Sequence, residues 1–164
     1  MSEERNTVIV APHVDDELIG CFDILSTIAN NVFIIYGETP DMIRKEEALA
    51  LKAKFLNVKA QYFSSQSVPP IFLNPRATLY FPDPYFETHP KHRSWGAIGE
   101  SLLRNGLEVI FYSVQMNAPY IYEVEHWLKK KELLDKIYPS QSDLWKSDAK
   151  YYLFEGRTKW MVKV

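Results

Sequence analysis

Three acids and a histidine crowd one stretch of sequence, Ala11-Pro12-His13-Val14-Asp15-Asp16-Glu17, and two of the four histidines, His89 and His92, stand three apart in Thr88-His89-Pro90-Lys91-His92-Arg93. Neighbouring carboxylates repel each other in a partly dry site, so such crowding favours a bound cation. His13 and Asp16 are three apart and can meet on one side of a turn. One distant histidine completes three ligands and leaves a fourth position for water, the catalytic arrangement of zinc. Asp15 is then free to take a proton from that water. A plainer reading competes, because acids that open a helix also compensate its dipole and cap its free N–H groups. The second cluster tips the balance toward a metal, although a pair of exposed loop histidines is its own plain alternative.

The elements that must position these residues follow from hydrophobic patterning. TVIVAPH (7–13) is a continuous β-branched run and reads as a buried parallel strand. Leu18, Phe22, Leu25 and Ala29 then repeat at helical spacing, with Asp15 and Asp16 as capping oxygens. VFIIYG (32–37) is a second buried strand, residues 41–56 a helix built on Met42, Leu49, Ala53 and Leu56, and KAQYF (59–63) a third strand. This β-α-β-α-β order predicts an α/β fold: a Rossmann-like, doubly wound, mainly parallel sheet with helices on both faces. In such sheets ligands bind at the carboxyl ends of the strands, where His13 to Glu17 fall. Residues 64–90 are expected to form an irregular active-site loop, since six prolines lie between 69 and 90 and suit neither a long helix nor a central strand. Tyr80, Phe81, Tyr85 and Phe86 should keep it ordered. A helix over 94–105, strands at 108–113 and 119–124, and a helix over 126–137 complete the pattern.

The chain has 164 residues, 46% of them hydrophobic, which suits a single domain over 1–164. Its 19 basic residues nearly balance its 21 acidic ones, so nothing advertises a nucleic-acid partner. The longest apolar runs are far short of a membrane span, and no integral membrane association is expected. A lone cysteine, Cys21, and an N-terminus without an apolar leader point to the cytoplasm. Cys21 should be a small buried hydrophobe, and Lys129-Lys130-Lys131 a solvated face. The sequence leaves the oligomeric state open, a homo-oligomer included.

His13-Val14-Asp15-Asp16-Glu17 after a strand, followed by His89-Pro90-Lys91-His92, resembles the paired motifs of the PIG-L/LmbE-type zinc-dependent N-acetylglucosaminyl deacetylases. The resemblance extends through Arg44 with Glu47, FYSVQ (111–115) and Tyr138-Pro139-Ser140-Gln141. It implies a zinc-dependent hydrolase that removes the N-acetyl group from a small N-acetylglucosamine-type amino-sugar compound by metal-activated water. By the same resemblance His13, Asp16 and His92 are the metal ligands, holding one zinc ion per chain or another divalent metal. Asp15 is the general base, a protonated His89 stabilises the oxyanion, and Arg44 contacts substrate. Two departures stand out. Val14 replaces a proline, a mild change, and Lys91 replaces an aspartate that supports the neighbouring histidine. The lysine is expected to oppose a charged His89 unless another acid, Asp83 or Glu87, takes the aspartate's place. The alternatives are a catalytically weak or inactive sugar-binding or assembly protein that kept the fold, or a zinc hydrolase of another amide or ester.

Overall fold

The buried run that follows Asn6 becomes β1 (Asn6–Ala11), and parallel pairing places β2 (Val32–Tyr36) on one side of it and β4 (Ala77–Pro82) on the other. The computed structural model describes residues 5–28, 31–38, 40–55, 57–62 and 69–157. Ala29, Leu56, Phe63 and residues 64–68, assigned above to helices, a strand and the loop, lie outside the described residues. Beyond β2 the sheet continues to β3 (Val58–Tyr62), and beyond β4 to β5 (Glu108–Ser113), both parallel to their neighbours. Two antiparallel strands close the other side, giving seven strands in the order β3-β2-β1-β4-β5-β7-β6, with β6 at Tyr120–Glu123 and β7 at Phe154–Arg157. The fold is therefore α/β with a mostly parallel, mixed sheet. Among the described residues no helix is long and apolar enough to cross a membrane.

Alternate residues of the central strands feed two cores, as the two-residue period of a strand requires. Ile9, Ala11, Ile34, Tyr36 and Tyr112 pack with α1 (Asp16–Thr27), α2 (Met42–Lys54) and α4 (Trp127–Ile137). Val8, Val10, Ile35, Leu79 and Phe81 pack with α3 (Pro90–Arg104) through Trp95 and Leu102. Because β1 has β2 and β3 on one side and β4 and β5 on the other, the strand order reverses between β1 and β4. That crevice, outside their carboxyl ends, is where an open α/β sheet binds ligands.

Several expectations need correction. The stretch expected to be an irregular loop contains β4, a central strand. Its proline does no harm: Pro82 is the last residue, pairing with β5 alone, while the β1 ladder has already ended at Ile9 and Tyr80. Pro90 does not precede α3 but begins it, at the first helical position where proline's missing N–H costs nothing. On α2, Met42 and Leu49 are 77% and 62% exposed, and the buried face is Glu47, Ala48 and Leu51 instead. Lys130 is fully buried, against the expectation of a solvated lysine run. The short helices α5 (Asp143–Ser147) and α6 (Lys150–Leu153), and β7 after them, carried no pattern strong enough to read.

Candidate metal centre

The centre straddles the reversal point. β1 delivers Pro12 to Asp16 from its carboxyl end, and the turn after β4 runs into α3 with Glu87, His89 and His92. His92 Nε2 lies 3.0 Å from Asp16 Oδ2 and 3.1 Å from His13 Nδ1, and His13 Nδ1 lies 3.4 Å from Asp16 Oδ2. Three ligand atoms around a tetrahedral zinc with bonds near 2.0–2.1 Å stand about 3.3–3.5 Å apart, so only small adjustments are needed to admit an ion. The His13-Asp16-His92 group can hold a metal ion. All three were named from sequence.

The acids do not act as simple caps. Asp15 occupies the N-cap position of α1 but makes no side-chain capping bond, and Asp16 Oδ2 reaches back to accept the His13 N–H at 2.9 Å. Asp15 also has φ 121°, a conformation that costs a residue with a Cβ and that tends to cluster at functional sites. Arg44 grips this turn: its Nη2 donates to the Val14 carbonyl and stands 3.6 Å from Asp15 Oδ2, while its Nε is 3.8 Å from Glu47. Glu47 in turn accepts the Ser140 N–H at 3.0 Å and the Ser140 hydroxyl. Glu17 is fully buried, accepting the Asp15 N–H at 3.2 Å and the Tyr138 hydroxyl.

Electrostatics separate the acids. Burial, reinforced by the Asp16 charge, raises Asp15 well above the usual carboxylate range. Burial also works to raise Asp16, but the imidazoles of His92 and His13 override it and hold Asp16 low. His92 responds in reverse: burial would lower it, yet the carboxylates of Asp16 and Glu87 push it up to about 10. A metal ion bound at this point would take the place of that proton. Burial pushes Glu17 up to about 7.

His89 departs from expectation. Burial, then the His13 and His92 rings, lower its pKa, so the imidazolium is disfavoured. As N-cap of α3, its Nδ1 accepts the Lys91 N–H at 3.1 Å, which leaves the ring proton on Nε2. Its ring centroid is 4.7 Å from that of His13 and 5.1 Å from that of His92. Lys91 extends away to Glu38, at 3.4 Å. Neither suggested acid backs His89: Asp83 accepts the N–H groups of Tyr85 and Phe86, and Glu87 lies behind His92.

A cavity of about 260 Å³ joins His13, Asp15, Asp16, Arg44, His89 and His92. The remaining wall is Val114, Gln115, Gln141, Leu144 and Tyr151. Gln115 and Gln141 ended strings matched in the family resemblance but had no role assigned, and Leu144 and Tyr151 had no signal at all. Cys21 is buried as expected, and burial raises its thiol, so no reactive thiolate is involved. No protein-family model, no curated protein and no solved structure matches this chain.

Proposed function

We propose that the chain is a zinc-dependent N-deacetylase acting on a small N-acetylglucosamine-type amino sugar. The observation that carries this reading is the convergence of His13 Nδ1, Asp16 Oδ2 and His92 Nε2 at 3.0–3.4 Å in a cavity that also holds Asp15 and His89. Two imidazoles and one carboxylate, with a fourth position open, are a donor set suited to hydrolytic zinc. The bound ion supplies Lewis acidity, polarising the acyl oxygen and making water more acidic. Asp15, held high by burial and by Asp16, accepts the proton of the attacking water and returns it to the departing amine nitrogen. His89, neutral and protonated on Nε2, donates a hydrogen bond to the carbonyl oxygen as negative charge develops there.

The cavity wall favours an uncharged, hydroxyl-rich amide. Gln115, Gln141 and Tyr151 offer neutral polar groups, with Val114 and Leu144 apolar beside them. Arg44, the permanent cation in the lining, donates to the Val14 carbonyl and stands within 3.8 Å of Asp15 and Glu47, so its charge is largely matched within the protein although its Nε makes no hydrogen bond among the described residues. Its contact with substrate is therefore secondary to its grip on Asp15. We further propose that the architecture is a Rossmann-like, doubly wound single domain over residues 1–164. The β3-β2-β1-β4-β5 parallel order and the two-sided core support this, as does the resemblance to PIG-L/LmbE-type enzymes.

The test is acetate release from N-acetylglucosamine and its simple conjugates, with turnover lost to a chelator and restored by zinc. Full zinc occupancy with no acetate from any such compound would sink the amino-sugar deacetylase reading in favour of a sugar-binding protein or a hydrolase of another amide or ester. Acetate release that is indifferent to chelation would sink the metal mechanism.

A further inference from the structure

We propose that Glu87 is a positioning residue for the metal centre, holding the His92 ring from behind while a reciprocal clasp with the end of β5 holds Glu87. The inference rests on the three-ligand part of the reading above and not on the deacetylase chemistry. Glu87 is 1% exposed, and four donors converge on its carboxylate. Oε1 lies 3.4 Å from His92 Nδ1 and accepts the Val114 N–H at 2.6 Å. Oε2 accepts the Gln115 N–H at 3.3 Å and the Ser113 hydroxyl at 3.4 Å. A carboxylate offers about four acceptor sites, so this one is fully used.

The contact is returned. Gln115 Oε1 accepts the Thr88 N–H at 2.6 Å and the Thr88 hydroxyl at 2.9 Å. Glu87 thus binds the backbone after β5 while Gln115 binds the backbone after Glu87, and the crossed pair fixes the segment that carries His89 and His92. The consequence for the metal is specific. An imidazole whose Nδ1–H points at a carboxylate presents its lone pair at Nε2, and Nε2 is the atom of His92 that faces Asp16 and His13. Carboxylates placed behind a ligating histidine set its tautomer and orientation, and removing one typically weakens metal binding by about 10–100-fold. Glutamine at this position would turn an amide N–H toward at least one of the four donors and leave that donor unpaired.

The experiment is a zinc titration of the full chain in competition with a chromophoric chelator, on wild type, Glu87→Gln and Gln115→Ala. Glu87→Gln is expected to bind zinc about 10–100-fold more weakly. Gln115→Ala loosens the clasp but keeps the carboxylate behind His92, so its loss should be much smaller. Wild-type affinity in Glu87→Gln overturns the proposal, and so do equal losses in the two variants, which would make Glu87 a merely structural residue. Nitrogen-detected NMR of the zinc-loaded wild type gives an independent reading that needs no mutant to fold. His92 should carry its proton on Nδ1, and a proton on Nε2 overturns the proposal. The expected affinity pattern without acetate release would count against the deacetylase reading alone.

Discussion

Two clusters of buried charge lie along the first half of α1, and they are built on opposite logic. At its N-terminus Asp15, Asp16, Glu17, Glu47 and Glu87 are all buried, and the one permanent cation among them is Arg44. Further along, Cys21 departs from helical geometry, with φ −135° and ψ 32°, and the two carbonyls just before this kink accept from buried cations. Lys130 Nζ donates to the Ile19 carbonyl at 2.6 Å and Arg157 Nη1 to the Gly20 carbonyl at 2.9 Å, with Glu155 within 3.6 Å of both cations. Glu155 also accepts the Asp23 N–H at 3.1 Å. There the two cations face Glu155 and, at longer range, the half-buried Asp23, and none of these residues lines the cavity of the first cluster. The first cluster keeps excess negative charge, a strained residue and an open cavity. A buried network that satisfies itself holds structure together, whereas one left unbalanced is prepared for a cation and a substrate.

The largest effect should come from removing a ligand at the unbalanced end. Asp16→Ala or His13→Ala should reduce zinc from one equivalent to near zero and acetate release to background, measured by metal analysis of purified protein. Unchanged metal in both variants would dissolve the contrast, since nothing would then distinguish the first cluster functionally. Next, Asp15→Asn should keep the metal and lower turnover by roughly 100-fold or more, the scale of general-base catalysis. Near-normal rates with zinc retained would move the proton to another group.

At the balanced end the readout is stability. Lys130→Met leaves Glu155 and the Ile19 carbonyl short of a donor and should cost about 3–5 kcal/mol in urea unfolding, while zinc affinity of the folded protein stays near wild type. A matching loss of zinc affinity would merge the two clusters into one unit. A smaller effect belongs to Glu17, which burial raises from 4.5 to about 7. Its folded pKa lies above the unfolded one, so its contribution is complete below pH 4.5 and disappears as pH rises through about 7. In metal-free protein the difference between wild type and Glu17→Gln should therefore shift by about 3 kcal/mol across that window, wild type losing ground as pH rises. A flat difference would mean Glu17 is ionised throughout.

How much of this was legible in the sequence depended on whether the signal was local. β1, β2 and β5 read directly from continuous apolar runs, and the His13-to-Glu17 cluster stood out because neighbouring acids are costly in a partly dry site at the end of a buried strand. β4 was hidden by Pro82 and the prolines on either side of the strand, since a strand's tolerance for Pro82 depends on where the neighbouring ladder ends, which is a tertiary fact. The buried face of α2 was misread for a similar reason. Glu47 turns inward to reach Ser140, 93 residues away, and carries Leu49 out to solvent. Glu87 was suspected as an acid of use but assigned to His89, because adjacency in sequence favoured the nearer histidine while the first turn of α3 brings His92 over it.

The smallest effect expected is at Lys91, the position where the chain departs most from the family it resembles. A lysine two residues from His89 should matter if His89 works as a cation, because its charge opposes the imidazolium. Three observations reduce that expectation. The ammonium is drawn to Glu38 at 3.4 Å; the Lys91 and Glu38 side chains are 37% and 24% exposed, where a salt bridge contributes about 0–1 kcal/mol; and Lys91 stands behind burial, His13 and His92 among the causes that lower His89. A neutral His89 that donates from Nε2 does not need a nearby carboxylate. Lys91→Ala should accordingly leave kcat within a few-fold of wild type, with thermal stability lowered slightly, and raising the salt concentration should narrow the difference further. Lys91→Asp is the sharper probe, read as kcat against pH at equal zinc occupancy. A rate close to wild type, with the same pH profile, fits a neutral donor. An increase of about ten-fold, appearing on the acid side of the profile, would mean that His89 acts as imidazolium and that the substitution at this position has weakened the site.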